Sequence, residues 1–325
     1  MKSRPEGRRG LAGLRNSCDG LSHADQRDAP HCHPTSQPST LHPKSPPMPP
    51  IRHQIATHIR QLVGSDGAPL PPRADDGFFA QGSPGWRVHG DFTSMMIGGT
   101  SALLLQMLHP HALAGVWDHS KWQADSLGRL KRTAQFIGLT TYGDTARARA
   151  SIAHVRHIHD RVHGHLPDGT PYSANDPATL TWVHIAGASR FLAAYVRYRD
   201  PAFPRASQDQ YYAQSAQVAR ELGAADVPES VHAVNRYLRT VRPVLRADRR
   251  TREVARALLN QPAPNLAAAG MGRVMIDAAI DLLPDWAARM HGLSVPLARV
   301  PLVRAGAHGI GTVLRWALAD GRRAT

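Results

Sequence analysis

Residues 98–133 read GGTSALLLQMLHPHALAGVWDHSKWQADSLGRLKRT, and this stretch decides the fold. Residues 101–108 are apolar almost all round, which predicts a buried central helix. The chain then carries histidines, a carboxylate and paired arginines, which are costly to bury unless they have partners. We therefore expect this stretch to form one wall of an internal polar site.

The composition predicts an all-α fold. Ala, Leu and Arg are abundant, and the alternating apolar and polar runs of β-strands are nearly absent. The 325 residues suffice for one large domain or two modest ones. Cys18 and Cys32, the two cysteines, both lie in an irregular N-terminal stretch, which excludes a disulfide framework and a thiolate site in the core.

The formal net charge is +14 and comes nearly all from arginine. Such a charge suits nucleic acid or an anionic membrane surface. No basic run is interleaved with aromatic residues, so we expect no nucleic-acid partner, whereas peripheral membrane contact stays open. No apolar run is long enough to span a bilayer, and no apolar region follows Arg8 and Arg9 as in a signal peptide. The expected location is the cytoplasm.

Residues 1–50 are dense in Pro, Ser, His and Arg and have no helical period, so we expect a disordered tail. Met48 is an alternative translation start. A short metal-binding tract at residues 31–33 is less favoured than an accident of composition. The predicted all-α domain spans residues 51–325.

Apolar periodicity and capping signals place the helices of this domain. Asp176 and Pro177 form a strong helix start, as N-cap and first helical residue. Beyond the central helix, the predicted helices cover residues 51–63, 112–116, 145–162, 177–198, 208–222, 231–245, 249–259, 266–283, 286–290 and 305–318, with one more starting at Ser126. Residues 164–176 are expected to form a loop.

Two histidines fall on apolar helix faces. His159 lies in a stripe with Ile152, Val155, Ile158 and Val162. His184 lies in the stripe of the next helix, which also contains Leu180, Ala188 and Phe191. A lone histidine in such a stripe is usually a satisfied core residue, but this chain brings several inward. We expect both imidazoles to face the interior.

Arg129, Arg132, Thr133 and Phe136 share one helix face by their three- and four-residue spacing. Two arginines and a threonine beside a phenylalanine suit a polar or anionic ligand at the edge of an apolar cavity. A solvated arginine face has the same spacing, and the spacing does not choose between them.

The candidate site therefore comprises His109, Asp118, His119, Arg129, Arg132, Thr133, His159 and His184. The motifs HExxH and CxxC are missing, there is no pair of ExxH motifs, and the glutamates are too few and wrongly placed for a di-iron bundle. A Ser120–His119 nucleophile pair is disfavoured because neighbours in sequence rarely form one. Imidazole suits iron, copper and zinc, and a haem here would need a histidine ligand. Haem, non-haem metal and organic ligand all stay open on these residues.

The chain resembles the domain shared by bacterial rubber oxygenases, also called latex-clearing proteins, and MpaB-type oxygenases. The resemblance covers residues 92–283 and rests on QMLHPHALAGVWDHS, GRLKRT, HIHDRVHG, YSANDPATLTWVH and FLAAY, in this order. It implies a single globin-like all-α domain that holds haem b in an internal pocket. It also implies O2 activation and an apolar, isoprenoid or unsaturated lipid-like substrate, whose C=C bond is cleaved to carbonyl products in rubber oxygenases.

The resemblance implies roles for the candidate residues. His159 maps onto the proximal iron ligand, with His163 as its rival one turn on. An Arg-x-x-Lys-Thr element supplies a distal lysine in the rubber oxygenases, and here Arg129 and Thr133 match it. Arg132 stands at the lysine position, and arginine is a poor metal ligand. Arg132 would instead hydrogen-bond bound O2 or a peroxide, or pair with a haem propionate.

The remaining candidates, His109, Asp118, His119 and His184, would line the cofactor or the substrate. The leading hypothesis is thus a haem-dependent oxygenase. The alternatives are a haem- or ligand-binding protein without turnover and a non-haem metal or lipid-binding protein. The oligomeric state stays open.

Overall fold

The computed structural model describes Arg52 and residues 55–57, 76–120, 122, 126–261 and 265–319, without the side chains of residues 126, 127, 129, 130 and 267. The expected tail, the alternative start and most of the helix expected over residues 51–63 lie outside this range. The described part confirms the all-α prediction, because one short hairpin is the sheet structure within it.

The α-helices of the described residues are, in chain order, α1 Pro84–His89, α2 Phe92–Gln106, α3 Pro110–His119, α4 Ser126–Tyr142, α5 Thr145–His159, α6 Pro177–Tyr198, α7 Arg205–Leu222, α8 Val231–Val241, α9 Arg249–Leu259, α10 Leu266–Leu282, α11 Asp285–His291 and α12 Val300–Leu318. The antiparallel strands β1 His163–His165 and β2 Pro171–Ser173 lie between α5 and α6. Short 3-10 turns at Arg242–Val244 and Leu297–Arg299 follow α8 and precede α12.

Helix α2 is the central element that its apolar sequence predicts. Ile97 and Leu104, seven residues apart, are fully buried on one side of the helix, and Leu105, about 100° around it, is fully buried too. Helix α6 packs along it, and Trp182 donates its indole N–H to the carbonyl of Gln106 at 3.2 Å. The polar edge of this large buried ring is therefore satisfied within the α2–α6 interface.

Gly98 brings the backbones of α2 and α6 together. A Cβ atom at this position would lie 2.9 Å from both the carbonyl oxygen of Arg190 and the Cα of Phe191. Real Cβ atoms are almost never this close to backbone, so only glycine fits without moving a helix. The close approach of α2 and α6 therefore depends on Gly98.

The start of α6 follows the predicted capping pattern. The Asp176 side chain accepts from the backbone N–H of Thr179 at 2.7 Å and also from its hydroxyl at 2.7 Å. Pro177 occupies the first turn, where no backbone donor is needed. This cap fixes where the longest described helix begins, and thereby the position of every side chain along the helix axis.

The boundary of α5 differs from its prediction. The helix ends at His159, three residues early, and His163 lies in β1 instead of the last helical turn. Residues 160–162 turn back, and the Ala174 N–H bonds the carbonyl of Val162 at 2.8 Å. Gly169 supplies the positive φ of +83° that the hairpin turn needs. The hairpin replaces the loop expected over residues 164–176.

Helix α1 was also missed, since the predicted helices do not include residues 84–89. Ser83 caps it by accepting from the Trp86 N–H at 3.4 Å, and Pro84 follows the cap. The helix is only six residues long, which is too short for a periodic pattern to show.

The last helix, α12, is held to the centre by ion pairs. Arg315 contacts the buried Asp91, which caps α2, at 3.1 Å, and Arg304 contacts Asp281 at 2.8 Å.

Among the described residues, no helix has both the length and the apolar character required to cross a lipid bilayer.

We predict that Gly98→Ala destabilises the fold by about 1–3 kcal/mol, because the added methyl group forces two backbones apart. The free energy of unfolding from urea titration measures this effect.

Gly270→Ala is the matched control, since Gly270 lies exposed in α10 and a Cβ there meets nothing within 4 Å. It is expected to stabilise the protein by about 0.5–1 kcal/mol through helix propensity. Equal and small effects of both substitutions would contradict the close packing at Gly98.

Candidate functional site

His159 is the last residue of α5, immediately before the turn into the hairpin. Its ring is partly buried, and its Nδ1 atom is buried without a hydrogen-bond partner. Burial lowers the pKa of His159, while the nearby Asn175 and Asp160 side chains oppose this shift. Burial thus favours the neutral imidazole, which is the form that binds metal, and the Nδ1 atom has no hydrogen-bond partner.

The inward face of α5 is narrower than expected. Ile152 is buried, and Val155 and Val162 are partly buried along with His159. Ile158 is 45% exposed, so its placement in the same stripe was wrong. The reason is geometric, because Ile158 precedes His159 by one residue and lies about 100° around the helix from it.

Asp118 and His119 meet through a tyrosine. The Tyr172 hydroxyl donates to Asp118 Oδ2 at 2.6 Å, and His119 Nε2 lies 3.1 Å from both the Tyr172 oxygen and the His163 carbonyl oxygen. A carbonyl only accepts, so this nitrogen carries the proton. Burial, followed by the Asp118 contact, raises the pKa of Tyr172 to about 12.

This network, Asp118–Tyr172–His119, joins the end of α3 to the hairpin. Its three members satisfy one another, so their arrangement favours a structural clamp over proton transfer. Tyr172 was not among the predicted site residues. The sequence places this tyrosine near the end of the expected loop, shortly before the α6 cap, but nothing in the sequence identifies its partners on α3.

His109 lies at the N-cap of α3, and its Nδ1 atom is buried without a partner. Its ring packs against His111 at 5.3 Å and Trp182 at 6.0 Å between centroids. Burial lowers the pKa of His109 to about 4, and His111 adds to the shift. His109 is therefore an uncharged group facing α6, as the sequence predicts for an inward histidine.

His184 faces inward from α6, as expected, and has a neighbour that the sequence did not identify. Burial lowers the pKa of His184 to about 4, and its Nε2 atom is buried without a partner. The pKa of His89 falls to about 3 through burial and the proximity of His184. His89 bonds the Thr141 hydroxyl at 2.8 Å and the Tyr211 hydroxyl at 3.2 Å.

His89 was missed because it ends the six-residue helix α1, which the periodicity did not reveal. The sequence hint to the burial of His89 was its position directly after the apolar Val88. The pair His89–His184 joins α1 to α6 without charge, because both imidazoles are neutral at neutral pH.

The predicted face of α4 is divided by the structure. Phe136 packs in a cluster with Phe79, Trp86 and Ile152, as an inward residue should. Arg132 and Thr133 are exposed, and the side chain of Arg129 is outside the described set. Lys131, which was expected to face elsewhere, is partly buried.

The structure thus joins the predicted residues in local groups. Asp118 and His119 share one network, and His159 stands at the end of α5. His109 packs against Trp182 of α6, whereas His184 of α6 lies near His89 of α1. Within the described part of the chain, no three His, Cys, Asp or Glu side chains cluster in a way that would hold a metal ion. The predicted roles of these residues stay predictions.

The chain matches one protein-family model over residues 86–316, which is most of its length. The model is described as ER-bound oxygenase mpaB/B'/Rubber oxygenase, catalytic domain. Comparison with curated proteins and with solved structures gave no match.

We predict that His184→Leu reduces the dependence of stability on acid pH. The folded-state pKa of about 4 lies below the ordinary value of 6.5, so the unfolded chain binds the proton first as the pH falls. Stability conferred by the neutral imidazole is therefore full above about pH 6.5 and falls towards about pH 4. Removing it should lower the slope by up to about 1.4 kcal/mol per pH unit.

Urea unfolding at a series of pH values across this interval measures the slope. His154→Gln, at an exposed position on α5, is the control and should leave the slope unchanged. An unaltered slope in His184→Leu would show that the folded protein protonates this imidazole as readily as the unfolded chain does.

Proposed function

We propose, on the premise that the chain belongs to the family of mpaB-type and rubber oxygenase catalytic domains, that it is a haem-dependent oxygenase of an apolar, unsaturated substrate. The observation that carries the haem assignment is the unpartnered, buried Nδ1 atom of His159 at the end of α5. A haem here needs a histidine ligand, because both cysteines of the chain precede residue 33.

The donor chemistry fits this assignment. A neutral imidazole is the form that ligates iron, and burial lowers the pKa of His159 towards that form. His159 would hold the iron of haem b, with His163 as the rival ligand. When bound, the haem supplies an iron that activates O2.

The other candidate residues would act around the cofactor. Arg132, together with Arg129 and Thr133, would donate hydrogen bonds to an anionic or oxygen-bearing group at the cofactor's edge. His109 and His184 would contribute uncharged walls. Asp118 and His119 would act through Tyr172, holding the hairpin that follows His159 against α3.

An apolar substrate is favoured by the surroundings of α3. Met107, Leu113, Val116, Trp122 and Val254 form one buried apolar cluster. A small cavity of about 30 Å³ lies between Leu104, Met107 and Trp122. A cavity of this size holds about one water molecule, so a hydrocarbon chain would enter only by parting the cluster, and it would then gain about 25 cal/mol per Å² of apolar surface removed from water.

The reaction proposed is oxidative cleavage of a C=C bond. The double bond breaks, and each carbon receives one oxygen atom of O2 to become a carbonyl. All atoms and electrons are then accounted for, so no external reductant is required. The chain's own residues need only bind the alkene, exclude water and position the double bond.

A second function is favoured by one observation. Arg132 replaces the distal lysine of the related motif and is exposed, so the internal lysine ligand of the rubber oxygenases has no direct counterpart at this position. A haem carrier or sensor without turnover would tolerate this change.

We predict that His159→Ala abolishes the Soret absorption band of protein purified after expression with haem supply, because the iron loses its ligand. The exposed His157→Ala, two residues earlier on α5, is the matched control and should keep the band. Loss of the band in His163→Ala alone would transfer the ligand role to His163. A full band in both His159→Ala and His163→Ala would overturn the assignment.

We predict further that the haem-loaded protein consumes one O2 per double bond cleaved when given a polyisoprenoid or unsaturated lipid. An oxygen electrode and carbonyl derivatisation measure the two quantities. A stable Soret band with no oxygen uptake on any such substrate would favour the carrier over the oxygenase.

A further inference from the structure

A pocket of about 380 Å³ opens between α6, α8 and the α10–α11 junction. We call it the arginine pocket; it is lined by Arg190, Arg197, Asn235, Leu238, Arg239, Arg242, Leu282, Leu283, Pro284 and Trp286. None of these residues belongs to the candidate oxygenase site. Its volume lies in the lower part of the range of small-molecule sites, about 300–1,000 Å³.

The deepest charge of the arginine pocket is Arg190. Its guanidinium donates to two neutral acceptors, the Leu282 carbonyl at 2.7 Å and the Ser189 hydroxyl at 3.4 Å. Burial lowers the pKa of Arg190 to about 10, while Tyr212 opposes the shift and Arg197 adds to it. The group still carries its proton at neutral pH, so a desolvated positive charge remains in the wall.

Carboxylates do not neutralise this charge. Arg197 is paired with Asp281 at 3.0 Å. No ion pair links Arg190, Arg239 or Arg242 to an acidic side chain within the part of the chain that the structure describes. Arg242 instead lies over the ring of Trp286, 4.7 Å from its centroid. Three guanidinium groups therefore face one pocket without a counter-charge.

The surrounding groups define the chemistry of a guest. Asn235 adds an amide that both donates and accepts, and Trp286 with the leucines offers apolar surface beside the charges. Guanidinium forks match the oxygens of phosphate, whose charge of about −1.5 to −2 for a monoester answers several arginines better than one carboxylate does.

We propose that the arginine pocket binds the phosphate group of a small organic phosphate or of a lipid headgroup. The bound anion would restore the counter-charge that Arg190 lacks, and the apolar side of the pocket would take the organic part next to the phosphate. This site is independent of haem and of the proposed oxygenase reaction.

The experiment is calorimetric titration of the full chain with inorganic phosphate and with pyrophosphate at constant ionic strength. Arg190→Gln risks misfolding, because the guanidinium bonds the Leu282 carbonyl. The exposed pair Arg239→Gln and Arg242→Gln, combined in one variant, avoids this risk. We expect saturable binding by the wild type and at least about tenfold weaker binding by the variant.

Arg236→Gln is the matched control, since Arg236 is exposed on the same helix and bonds His232 instead of lining the pocket. Its affinity should equal that of the wild type. The proposal would be overturned if the wild type bound neither anion saturably and showed no pocket-dependent binding to the vesicles described next, or if the control weakened binding as much as the double variant does.

Vesicles separate the two sources of phosphate. Phosphatidylcholine vesicles with and without phosphatidic acid are cosedimented with the wild type and with the double variant. Binding that needs both phosphatidic acid and the two arginines assigns the pocket to a lipid headgroup. Pocket-dependent binding of soluble phosphate or pyrophosphate without vesicle binding assigns it to a free organic phosphate.

Discussion

The contact between α2 and α6 is the constraint on which the rest of the structure depends. Gly98 lets the two backbones touch, and Trp182 fills the space beside them. Because α6 is held so closely, its amino-terminal half presents His184 to α1, and its carboxyl-terminal half presents Arg190 to the arginine pocket. One packed helix pair therefore supports an uncharged region and a cationic region.

Buried histidines and a buried arginine differ in their protonation state in this chain. Imidazoles such as His89, His109 and His184 give up their proton when buried, and their surroundings stay uncharged. Arg190 retains its proton, because even a pKa of about 10 leaves it charged at neutral pH. A basic chain can thus contain buried histidines that are uncharged and, separately, a pocket wall that is cationic.

Long elements were predictable from their apolar period, and their starts were accurate where a capping side chain marks them. The uncapped helices α7 and α12 begin three and five residues before their predicted starts. Asp176 and Pro177 mark the start of α6 unambiguously, and a boundary such as that of α9 agrees to the residue. The short elements were not predictable. The helix α1 is shorter than two turns, and the hairpin depends on the pairing of Gly164 with Tyr172, which local sequence does not encode.

The candidate site shows the same division. That His159 and His184 face inward followed from helical spacing, since each is flanked by apolar neighbours three and four residues away. The neighbours of the candidate residues come from distant segments, as His89 does for His184 and Tyr172 for Asp118 and His119, and they needed the tertiary fold. For Arg132 the spacing was misleading. It placed Arg132 on the same helix face as Phe136, but Phe136 packs inside the protein while Arg132 is exposed to solvent.

The short hairpin gives α3 and α5 a mechanical link. Tyr172 ties β2 to Asp118 and His119 at the end of α3, and only three residues separate β1 from His159. A guest that wedges α3 away from its neighbours would therefore pull on the chain next to the imidazole and tilt its ring. In the proposed oxygenase, substrate entry and the orientation of the histidine ligand would then be coupled through the dozen residues that connect His159 to Tyr172, with no large domain motion.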